Sequence, residues 1–170
     1  KSDMRFRNVI ALAFLFIATP YSFGGTETVE VASPWSGHWW PMQLGENIFG
    51  YQGRGRPSAF MKFDVYFDTG FAAYQWEFEN HYNPDAEPWE GHCNGWAAAA
   101  VSEAEPSAAV NLNGITFFVG DQKALWTEYY QGSRGTIYGD AGPGISALVF
   151  HTQLQAYLRD NQLPIIVELD

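Results

Sequence analysis

The sequence predicts a mixed α+β domain, and three observations predict it. Asn94–Glu105 is an alanine-rich run with no breaker after Gly95, which has the composition of a helix. Ile145–Asp160 carries apolar residues at roughly helical spacing, at Ile145, Leu148, Val149, Leu154 and Leu158. Gly114–Val119 and Leu163–Leu169 are short apolar runs of strand length. A chain of 170 residues is of single-domain size and buries a core without disulfides or metals to staple it. Aromatic residues make up 17%, seven Trp among them, which excludes a disordered chain and predicts a packed interior with an aromatic-lined cleft.

In chain order, residues 1–24 read as a signal peptide region. Arg5 and Arg7 follow Met4, Val9–Ala18 is apolar, and small residues close the segment at Gly24 and Gly25. The apolar run is too short to span a bilayer as a helix, so membrane contact is expected only through this segment, and the protein is expected to be secreted. Residues 25–33 are a linker or a first strand, and 34–170 form the functional domain. Pro34–Pro57 holds three Pro, five Gly and three Trp, which forbids a long helix and predicts an ordered aromatic loop. From Ser58, the residues Phe60, Met61, Phe63, Val65 and Tyr66 suit a helix, whereas Phe63, Val65 and Phe67 alternate as in a strand. Glu77–Glu87 is acidic and turn-rich. The helix over Asn94–Glu105 places Cys93 in its first turn and ends at Pro106. Gly114–Val119 follows as a strand, then a helix over Asp121–Tyr130 capped by Asp121 and closed by Gly132. A glycine-rich loop, 132–144, leads into the amphipathic Ile145–Asp160 helix and a last strand, Leu163–Leu169.

With 19 Asp and Glu against 9 Lys and Arg, and no basic stripe, binding to a phosphate backbone is excluded. Cys93 is the single cysteine. In an exported chain an unpaired thiol is a nucleophile, an intermolecular bridge or a small buried hydrophobe. Unpaired backbone N–H groups at a helix start favour a thiolate, which supports the first reading. A thiolate enzyme also needs a base and a group to orient it. Of four histidines, His92 adjoins Cys93, where neighbouring side chains point apart, and His38 and His81 sit in loops that predict surface roles. His151, behind the glycine-rich loop, is either the base or a half-buried helix residue. If Leu163–Leu169 is a strand, Glu168 and Asp170 share one face and either can orient His151. Asp121 and Asp140 are rivals, the first already explained as a helix cap.

Several segments then occur in a specific order: PWSGHWWP at Pro34–Pro41, WEGHCNGWAAAA at Trp89–Ala100, Glu105-Pro106, NGITF at Asn113–Phe117, DQKAL at Asp121–Leu125, and Phe150-His151 leading to LPIIVELD. In that order they resemble the secreted transglutaminase elicitor family. The resemblance implies a papain-like or transglutaminase-like core, incomplete at the C-terminus. It implies a nucleophile at Cys93, a catalytic base at His151 and an acidic partner at Glu168 or Asp170. The implied activity is acyl transfer from protein glutamine side chains to primary amines, with glutamine- and lysine-bearing proteins as substrates. Trp39, Trp40, Trp89 and Trp96 are the candidates for lining the substrate cleft. Asn94-Gly95 stands where the family usually has His-Ala, and Ala98 where Pro is common, which bears on substrate preference. No cofactor is read from the residues. Calcium enters only by family analogy, because no aspartate-rich loop has ligand spacing. Two other readings are kept: a cysteine peptidase or amidase of the same fold, and a non-catalytic Trp-rich binding module.

Overall fold

Ser58 decides between helix and strand for the segment that follows it. Its hydroxyl accepts from the backbone N–H of Met61 at 3.2 Å, an N-cap that starts helix α2. The computed structural model describes residues 28–31, 33–50, 57–132 and 145–167. Among these, the elements run α1 (Glu46–Phe49), α2 (Ala59–Phe67), α3 (Ala72–Asn80), α4 (Cys93–Ser102), β1 (Val110–Leu112), β2 (Ile115–Phe117), α5 (Val119–Gln131) and α6 (Ala147–Leu154), with a π-helical turn at Gln155–Asp160. The structure is therefore helix-rich, with one small antiparallel sheet.

The α4–α5 pair is the centre of the fold. Small side chains on α4 let the two helices approach: Ala99 and Ala100 pack with Trp35, against Trp96, Trp126 and Tyr130. A second cluster, Trp40, Ala59 and Ala124, joins α2 and α5 to the N-terminal loop, with Trp96 common to both clusters. The indole N–H of Trp35 donates to the carbonyl of Glu103 at 3.1 Å, satisfying an end group of α4. Two buried lysines are neutralised by named partners. Lys62 meets Asp121 at 2.5 Å, and Lys123 meets Glu105 at 2.6 Å and the Ser36 carbonyl at 2.5 Å. The β1–β2 hairpin pairs Val110 with Phe117 and Leu112 with Ile115, turning on Asn113 and Gly114, both at positive φ as a two-residue Asn-Gly turn requires.

Several expectations change. Glu77–Asn80 is the last turn of α3 rather than loop. Helix α4 ends at Ser102, four residues before Pro106. Helix α5 starts at Val119, so the strand before it is only Ile115–Phe117, and Asp121 lies inside the first turn, where its carboxylate accepts from the N–H of Phe118 at 2.7 Å. Leu163–Val167 forms no strand, since no described segment pairs with it. Glu168, Asp170, Asp140, the signal region 1–24 and loop residues 133–144 lie outside the described residues. No helix among the described residues is long and apolar enough to cross a membrane.

Candidate active site and its buried neighbour

The chain reaching Cys93 is pinned before the helix begins. Residues 39–42 run antiparallel to 90–92: Met42 N–H donates to Glu90 O at 3.1 Å, His92 N–H to Trp39 O at 2.6 Å, and Pro41 bridges Gly91. Gly91 is required at this crossing, because a Cβ there would stand 2.5 Å from the Trp39 carbonyl oxygen. Trp40 adopts φ +44°, an uncommon conformation for a bulky residue, and its carbonyl accepts from Nδ1 of His92 at 2.9 Å.

His92 is the N-cap residue of α4 and Cys93 its first helical residue. As expected of neighbours at a helix start, they face opposite ways: His92 is 2% exposed, Cys93 is exposed. The thiol therefore sits on the surface, beside N–H groups that the helix itself leaves unpaired. Burial of Cys93 as core packing is excluded.

Around that thiol the sequence candidates divide. Trp39 (39% exposed) packs its ring against Gly91, and Trp89 is 73% exposed, so both offer aromatic surface in the segments that pair just before Cys93. Trp40 (7% exposed) is buried in the core and offers no cleft surface, contrary to the expectation for it, while Trp96 is partly buried against both core clusters. His151 is exposed on α6, a helix with no buried residue that packs mainly on the π-helical turn after it. No described hydrogen bond or ion pair joins His151 to Cys93.

Behind Cys93 lies a buried cluster that no sequence motif marks. His81, which closes α3, is not a surface residue. Its Nδ1 lies 2.7 Å from Glu77 Oε2 and 3.4 Å from Glu128 Oε1. His92 Nε2 lies 3.1 Å from Glu77 Oε1, 3.2 Å from Glu128 Oε2 and 3.3 Å from His81 Nδ1. All four ligand-type atoms fall within 4.8 Å of one another. Asn47, buried on α1, donates to Glu77 Oε1 at 3.2 Å. The four side chains form an ion network. Burial pushes the Glu77 carboxyl up, but hydrogen bonds from His81 and His92 outweigh it and hold the group at about 2. Hydrogen bonds to Glu128 and Glu77 raise His81 to about 9. Burial pushes His92 down, yet the same two carboxylates carry it up to about 10. The available sequence signal was Glu77 and His81 at i,i+4 on one helix face, beside a histidine that adjoins the lone cysteine.

Residues 84–142 match the family model described as Transglutaminase elicitor. The structure is similar to the crystal structure of the GP42 transglutaminase from Phytophthora sojae, with a TM-score of 0.59 and 25% sequence identity over 79% of this chain. The match spans 48% of that protein's chain, about half its length. No curated protein matches. The two matches support the resemblance to the transglutaminase elicitor family that the sequence motifs carry.

Proposed function

We propose, with kinship to the transglutaminase elicitor family as the premise, that this chain carries the thiol-bearing part of a secreted protein-glutamine γ-glutamyltransferase. The observation that carries the reading is the exposed Cys93 at the first position of α4, inside the segment matched by the family model. The sulfur attacks the γ-carboxamide carbon of a substrate glutamine. The backbone N–H of Cys93 receives the developing oxyanion, with an indole N–H of Trp39 or Trp89 as second donor. His151 protonates the departing nitrogen, so the C–N bond breaks, ammonia leaves and a thioester remains. A lysine or other primary amine then attacks the thioester carbon, the C–S bond breaks, and His151 takes the amine proton. Glu168 or Asp170 orients His151. The aromatic walls at Trp39 and Trp89 slow competing hydrolysis by excluding water. A papain-like core is the arrangement this order of groups requires, and α6 must dock towards α4 for His151 to act.

The test is incorporation of a fluorescent primary amine into a glutamine-rich protein, with ammonia release followed in parallel. Labelling that disappears in Cys93→Ser while the fold is retained supports transfer. Ammonia release without labelling moves the assignment to an amidase, and cleaved peptide bonds to a peptidase. Neither reaction from a folded protein, with Cys93 alkylated only slowly, moves the assignment to the Trp-rich binding module.

A further inference from the structure

We propose that Glu77, His81, His92 and Glu128 form a closed structural site for a divalent transition metal ion, zinc in the first instance, directly behind the nucleophile. The geometry carries this. Ligands about 2.0–2.1 Å from a tetrahedral zinc lie about 3.3–3.4 Å apart along each edge. The two imidazole nitrogens stand 3.3 Å apart, each lies 2.7–3.4 Å from an oxygen of both carboxylates, and one ligand atom from each of the four residues falls within 4.8 Å of the others, a cluster that a small tightening of side chains brings onto one ion. The vertices come from separate elements, α3, the start of α4 and α5, and converge on one point.

Three further features belong to a ligand cage rather than an ion-pair cluster. His81 Nδ1 and His92 Nε2 face each other at 3.3 Å, where two N–H groups repel and two lone pairs share a cation. The buried Oε2 of Glu128 faces His92 Nε2 at 3.2 Å and has no other polar partner, so it is aimed into the cluster. The outer contacts are also in place: Trp40 O takes the Nδ1 proton of His92, aiming its Nε2 lone pair inward, and Asn47 holds Glu77. Two imidazoles among four ligands suit zinc and its neighbours and not calcium or magnesium, which take oxygen. Four protein ligands with little solvent access leave no open position, so the ion's role is to lock α3, α5 and the start of α4 together and thereby fix where Cys93 stands.

This inference does not depend on the acyl-transfer reading, and its readouts need no activity. The purified full-length protein, stripped with a chelator and dialysed against zinc, is expected to hold one zinc per chain by elemental analysis. Its Tm should fall on stripping and recover on reloading. Cobalt(II) in place of zinc should give the visible d–d bands of a four-coordinate site in the unmutated protein, so no variant has to fold. Asn47→Ala, outside the ligand set, should weaken zinc binding by about 10–100-fold. A folded protein that takes up no zinc after reloading overturns the proposal. So does one zinc retained equally by His81→Ala and Glu128→Ala, or an octahedral cobalt spectrum.

Discussion

Two glycines, similar in sequence and opposite in surroundings, set a measurable contrast at the residue scale. A Cβ on Gly95 would stand inside contact distance of the Thr127 carbonyl oxygen and the Gln131 side chain, because α4 and α5 cross there. Replacing a helical glycine by alanine gains about 1 kcal/mol of propensity. Overpacking against backbone, which no rotamer change relieves, costs about 1–3 kcal/mol. Gly95→Ala is therefore expected to lower stability by up to about 2 kcal/mol net. Gly120, near the start of α5, has nothing within 4 Å of the same added atom. Gly120→Ala should raise stability by a few tenths to about 1 kcal/mol. Urea midpoints of the two variants should move in opposite directions. A shift of the same sign in both would mean that the α4–α5 approach is looser than the structure has it.

At the scale of elements, Asp121 shows how a single side chain serves two of them. Its carboxylate accepts from Phe118 N–H at the start of α5 and holds Lys62 of α2, whose side chain is only 8% exposed. Asp121→Ala removes the helix-start acceptor and strands a buried ammonium, a combination expected to cost about 2–4 kcal/mol. Adding Lys62→Met, which keeps the stem and removes the charge, should recover part of that loss in denaturant unfolding. Strict additivity of the two changes would show that the pair is not coupled. The helix boundaries around this pair also explain what the sequence disclosed. Helix α4 was legible because its alanine run has no competing pattern. Helix α3 was not, since its buried position is Glu77 and not an apolar residue, so no hydrophobic period marks it. The same fact hid the buried cluster: its four residues come from three elements, and a carboxylate facing inward reads in sequence as a solvated one. Cys93 was legible by its neighbours and its helix. Leu163–Val167 has the composition of a strand, but a strand forms only with a partner, and Pro164 contributes no donor.

Among the described residues, the molecule divides into a packed centre and a helix with little to hold it. Opening α4 or α5 uncovers Trp35, Trp40 and the alanines between them, so their amides are held by the shared core. Helix α6 has eight residues, none buried, with Leu148 at 75% exposure and Val149 at 42%. A helix of that length is marginal on its own. Native-state hydrogen exchange should therefore be faster in α6 than in α4 and α5, by on the order of 100-fold or more. That gradient bears directly on the proposed chemistry, because His151 rides on α6 while Cys93 is anchored by the centre. If transfer requires the two to meet, trapping the thioester with a glutamine-mimicking inhibitor should slow exchange in α6 and leave α4 and α5 unchanged. Protection of α6 that is already as strong as that of α4 in the free protein would show its apolar face covered in solution and remove docking as a step. No change on trapping would take His151 out of the reaction and leave the base to be sought elsewhere.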